Sequence, residues 1–137
     1  MKKKLIFLLV FIILAFILNF IWEYLHLPLY KQHVPWFGSL FLMLLYSSLV
    51  DAVIILAVYF FVSSVNKKIK WKISWKNILL YSGLLIIMAV IIEVRALSTG
   101  GWAYKEIMPT IFGVGISPLL QLTATGLLCL LVAEKLR

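Results

Sequence analysis

Long apolar runs alternate with short polar ones along this chain. From about Leu5 to Leu27 almost every position is apolar, and Pro28 then disfavours helix in the residue before it. Residues 28–38, with Pro35, Trp36 and Gly38, separate this run from a second, over 39–65. A basic stretch, 66–77, precedes a third run, over 78–97, which breaks at Ser98–Gly101 with its two glycines. The last run covers 113–136. A helix rises about 1.5 Å per residue, so each run is long enough to cross a hydrocarbon core about 30 Å thick. The pattern predicts an all-α polytopic membrane protein: one domain over 1–137 with four transmembrane helices in a single bundle. Proline is best tolerated in a helix's first turn and serine is a good cap. The fourth helix is therefore expected to start at Pro118 with Ser117 as its cap; the alternative is a longer helix kinked at Pro118.

Composition supports a lipid-facing chain. Of 137 residues, 64% are hydrophobic and 13% charged, whereas soluble domains carry about 25% charged residues. The net charge of +8 does not imply nucleic acid, because the basic residues are confined to short stretches between apolar runs. Of the 13 lysines and arginines, all but Lys31, Arg95 and Lys105 lie in the N-terminal stretch, in 66–77 or at the C-terminus. By the positive-inside bias, both termini and the middle linker are cytoplasmic, in a plasma membrane. Lysines 67, 68, 70, 72 and 76 should lie on anionic lipid headgroups, each contributing on the order of 1 kcal/mol, with Trp71 and Trp75 in the interfacial belt. The Lys2–Lys4 start resembles a signal peptide, but its apolar run continues to Phe20, past the usual core of about 7–15 residues. It reads as an uncleaved first span. Cys129 is the only cysteine, so it offers neither an internal disulfide nor a cysteine-based metal cluster and reads as a small apolar filler.

The candidate chemistry lies in polar residues inside the spans. Three of the five acidic residues, Glu23, Asp51 and Glu93, fall there, and each costs roughly 2.5–3.5 kcal/mol at mid-helix on insertion scales. They are the catalytic candidates. Glu23 and Glu93 lie near the outer ends of their spans, and Asp51 lies nearer mid-membrane. Asn19, Glu23 and His26 share a helix face at i, i+4, i+7, with Trp22 beside it; Ser47 and Asp51 are one turn apart. Gly113, Ser117, Gln121 and Thr125 form an i, i+4 series in the fourth span. Polar faces of this kind either converge on a pocket or hydrogen-bond the bundle together. Asn19, Trp22, Trp102, Tyr104, Ser117 and Gln121 are the candidate substrate-binding residues. Glu23-x-x-His26 has the spacing of a di-iron bundle's ligand pair, but the chain carries one copy where such sites need two, so no metal or other cofactor is expected.

Several of these segments resemble a family of small, uncharacterised bacterial four-helix membrane proteins. The matching stretches are Asn19–Glu23, Pro28-Leu29-Tyr30, Asp51, Trp102-Ala103-Tyr104 with Met108-Pro109, and Gly113–Gln121. The resemblance covers most of the chain and implies the four-helix fold. It also implies glutamine at the place of His26 in relatives, which counts against a metal ligand there. A weaker likeness is to lycopene cyclase-type membrane domains, although Ser117-Pro118-Leu119-Leu120-Gln121 replaces their closing Pro-x-Glu-Glu pattern.

Three functions remain open on the sequence. One is a lipid-phase binding protein or enzyme acting on a lipid or isoprenoid-like molecule, in which a buried carboxyl gives a proton to an apolar substrate and aromatic faces stabilise a cation. A second is a proton- or cation-coupled transporter working as a homo-oligomer, and a third is a non-catalytic assembly factor. An enclosed cavity at the carboxyls favours the first, a continuous water path the second and a dry, packed centre the third.

Overall fold

The computed structural model describes residues 2–31 and 38–135; Pro35 and Trp36 lie outside them. The described residues include four α-helices: α1 (Lys2–His26), α2 (Leu40–Val65), α3 (Trp75–Thr99) and α4 (Ile116–Glu134). Each is long and apolar enough to cross a membrane. A single 3-10 turn, Leu27–Leu29, ends α1 at Pro28. Serines cap the next two helices: Ser39 accepts from Leu42 N at 3.2 Å and Ser74 from Asn77 N at 3.4 Å. Gly100, in the left-handed region at φ +73°, closes α3.

The helices form an antiparallel ring in which each packs on its chain neighbours and α4 closes against α1. Only a narrow stripe of each is buried. On α1 it runs Phe7, Phe11, Ala15, Asn19; on α3 it runs Tyr81, Leu85, Ala89, Glu93. The i, i+4 spacing keeps each stripe on one face. The remaining faces expose apolar side chains around the ring, among them Ile13, Ile17, Val53, Phe61, Ile91 and Leu131. A soluble surface rarely tolerates such a continuous belt, but acyl chains solvate it. The result is a small, all-α, multi-pass membrane bundle.

At the end that holds the termini, an aromatic layer fills the core. Phe7 and Phe11 pack on Tyr59 at centroid distances of 5.6 and 5.0 Å; Tyr59 packs on Trp71 at 5.6 Å and Trp71 on Tyr81 at 5.8 Å. Trp71 is thus fully buried rather than interfacial, whereas Trp75 is exposed. The basic linker is folded against the bundle. Ile69 O accepts from Tyr59 Oη at 2.7 Å, and Asn66 and Asn77 pair their amides reciprocally at 3.1 Å. Capping by Ser74 starts α3 at Trp75, three residues before the expected boundary.

At the opposite end, residues 100–115 fold into a small cap. Thr110–Ile111 and Val114–Gly115 form a two-stranded antiparallel hairpin. Its loop, Phe112-Gly113, has φ of +51° and +80°, the positive values that a two-residue type I′ turn requires. The hairpin breaks the apolar run, so α4 starts at Ile116, not 113. Its cap is Gly115 rather than Ser117, and Pro118 sits in the first turn, where no helical hydrogen bond is lost. The kinked longer helix is therefore not formed, and Gly113 leaves the proposed i, i+4 series.

Candidate functional site

Toward the capped end, the buried stripes turn polar. Asn19 and Glu23 continue that of α1, Glu93 that of α3, and Gln121 and Thr125 that of α4, while α2 contributes Asp51. Gln121 is the hub. Its Nε2 lies 2.9 Å from Asp51 Oδ2, 3.0 Å from Glu23 Oε1 and 3.1 Å from Asn19 Oδ1. Asn19 is anchored in turn: its Nδ2 donates to Ala15 O at 2.8 Å, and its Oδ1 accepts from Thr125 Oγ1 at 3.2 Å. Three helices meet at one amide. Asp51, expected deeper than Glu23, reaches the same nitrogen.

Glu93 is held separately. Its Oε2 accepts from Trp102 Nε1 at 3.1 Å and from the hydroxyl of Tyr104. Tyr104 Oη also accepts from Gly115 N at 3.0 Å, so one phenol ties α3 to the start of α4. A Cβ on Gly115 would lie 2.9 Å from Pro118 Cγ and 3.2 Å from Met108 Sδ, so the tight turn into α4 leaves room only for glycine. Tyr30 packs edge-on to Trp102 and against Tyr104, at 6.4 and 5.4 Å. The backbone fixes this cluster, because Lys31 N donates to Ala103 O and Lys105 N to Leu29 O, both at 2.9 Å. Burial first, and then the neighbouring carboxyls, push the Tyr30 hydroxyl well above the usual phenol range; burial and its bond to Glu93 do the same for Tyr104. Both phenols therefore remain protonated donors at neutral pH.

A cavity of about 370 Å³ opens beside these groups, and Glu23, Asp51, Glu93, Trp102 and Gln121 all line it. Its apolar walls include Leu40, Met43, Val50, Ile92 and Leu122. Lys31 is the one basic residue among its described lining residues. Of the candidates read from the sequence, the three carboxyls, Trp102 and Gln121 thus share one space. Asn19 and Tyr104 stand behind it, holding Gln121 and Glu93. Trp22 and Ser117 do not line it and instead flank His26. Trp22 meets the imidazole edge-on at 5.3 Å, and Ser117 Oγ hydrogen-bonds His26 Nε2. This contact points His26 at α4 rather than at Glu23. Tyr30, Lys31 and Met43 also line the cavity. Sequence reasoning missed them because an aromatic, a lysine and a methionine at a span's end look like ordinary interfacial residues.

No family model, curated protein or solved structure matches the chain. The class that fold and site define is a small four-helix membrane protein with a carboxyl-lined cavity at one end of its bundle.

Proposed function

We propose that the protein takes up a lipid-like molecule from within the bilayer and processes its polar end by acid–base chemistry, with Glu23, Asp51 and Glu93 as the proton-exchanging groups. The observation that carries this reading is that all three carboxyls face a single apolar-walled cavity. Holding a carboxyl in such a site costs free energy, which is offset where it serves binding or catalysis. Gln121 and the Trp102–Tyr104 pair orient the carboxyls, one of which delivers a proton to the bound group while another accepts one. The aromatic layer from Phe11 to Tyr81 fills the core beneath, which favours a ligand arriving from the lipid over a path through the bundle. The cavity argues equally against a dry assembly factor.

In this reading the protein lies in a plasma membrane with both termini cytoplasmic, and the cavity belongs to the outer half. The segments that resemble the small bacterial four-helix family gather at this end: Glu23, Asp51, Trp102 and Gln121 line the cavity, and Tyr104 and Gly115 support it. Solvent extraction of the purified protein, followed by mass spectrometry, tests the proposal. The wild type should carry an amphiphile enriched over bulk membrane lipid, and the Asp51→Asn/Glu93→Gln double variant should lose it while keeping its helical circular dichroism. The same bulk-like lipid profile in both proteins would refute it.

A further inference from the structure

Two hollows border the α2–α3 pair. The carboxyl-lined cavity, which α1 and α4 also wall, borders one half. A second, of about 270 Å³, occupies the other and is bounded by Ile54, Val58 and Phe61 on α2 and by Leu84, Ile87 and Met88 on α3. The α2 side of both is one stripe, residues 47, 51, 54, 58 and 61, stepping three or four at a time along a single helix face. On α3 the stripe 93, 89, 88, 84 runs back in the antiparallel direction. Of the neighbouring helix pairs around the ring, α2 and α3 meet least. The two linings share no residue but come within one helical turn of each other on both helices, at Asp51 and Ile54 and at Ala89 and Met88, and so outline a groove whose far half is apolar. The ten helical steps from Asp51 to Phe61 extend about 15 Å along the axis.

The polar end is rich in acceptors. The two hydrogens of Gln121 Nε2 face oxygens of Asp51, Glu23 and Asn19 at 2.9–3.1 Å, and Asn19 Oδ1 has Thr125 Oγ1 as a further donor. Each carboxylate has more lone pairs than these donors fill, and a ligand group that donates hydrogen bonds meets them. A phosphate would add acceptors and negative charge beside three carboxyls, where Lys31 is the one basic group among the described lining residues.

We infer that the ligand is a long-chain amphiphile with a hydrogen-bond-donating, phosphate-free head, an alcohol or amine, whose head sits at Glu23, Asp51 and Gln121 and whose tail lies in the α2–α3 groove. This inference rests on the function proposed above and adds the substrate's class and pose. Linking head to tail makes the second contact intramolecular once the first is made, which favours such a molecule over separate membrane components.

Photo-crosslinking in phosphatidylcholine vesicles tests it, with hexadecylamine carrying a diazirine near its tail end as the probe. Labels should map to Ile54–Phe61 and Leu84–Met88, and most should be lost on adding excess hexadecylamine or hexadecanol but not hexadecyl phosphate. Ala57→Trp, which fills the apolar hollow, should remove labels there while leaving competition at the head intact. Labels confined to the carboxyl half and still competed away would overturn the tail assignment yet leave the proposed function standing. Competition by hexadecyl phosphate as strong as by the amine would overturn the head assignment. Uncompeted labelling spread over all lipid-facing residues would overturn the inference. Failure of the extraction experiment as well would remove the proposed function with it.

Discussion

Gln121 serves both stability and site geometry, and the two are coupled through its side-chain amide. Its Nε2 lies within 3.1 Å of oxygens on α1 and α2, and Thr125 on its own helix reinforces Asn19. Replacing it with leucine keeps an apolar side chain of similar reach but strands those oxygens. Leaving a buried polar group unsatisfied costs about 1–3 kcal/mol. Thermal unfolding in detergent should therefore show Gln121→Leu clearly destabilised, whereas Leu128→Ala on the lipid-facing side of α4 should change little. Equal stability of the two variants would mean that the three-helix contact is not formed. The polarity of Gln121 was legible in the sequence, as was its place one turn after Ser117. That one amide gathers Asn19, Glu23 and Asp51 was not, because their separations along the chain exceed any local periodicity.

Between helices, the basic stretch over 66–77 departs most from what its composition suggested. A lysine-rich segment with two tryptophans reads as a surface strap, and Trp75, which opens α3, fits that reading. Trp71 does not: it packs between Tyr59 and Tyr81, and the asparagine pair and Ile69 carbonyl hold the surrounding backbone. Truncating a buried tryptophan to alanine costs about 3–5 kcal/mol. Trp71→Ala should therefore lower the unfolding temperature strongly and Trp75→Ala scarcely at all; similar effects from both would place Trp71 at the surface. Nothing in the spacing of the two tryptophans distinguished them, since burial depended on where α2 ends and how the linker turns. The start of α4 carries a related lesson. Proline and serine marked a helix start, but the Phe112-Gly113 turn moved the cap to Gly115 and freed Ser117 for His26.

Over the whole molecule, the division of charge sets the expected orientation. Reporter fusions at Asn66 and at the C-terminus should both report the cytoplasm, and one near Gly100 the exterior. A C-terminal reporter on the exterior would invert the bundle and place the carboxyl cavity in the inner half. The asymmetry that supports this outcome is strong, since only Lys31, Arg95 and Lys105 among the lysines and arginines fall on the other side.

The sequence by itself determined the solvent, the number of helices and their approximate ends, because those depend on local apolar content and on prolines, glycines and serines acting within a few residues. It also marked the carboxyls, since charge inside an apolar run is conspicuous without knowing the neighbours. Only the tertiary structure decided which polar faces meet, that Glu93 is held by Trp102 and Tyr104, that His26 turns to Ser117, and that two hollows border the α2–α3 pair. Those features depend on how each helix is rotated and how closely the pairs approach. Packing among four helices sets both at once, and the periodicity of any one helix does not contain them.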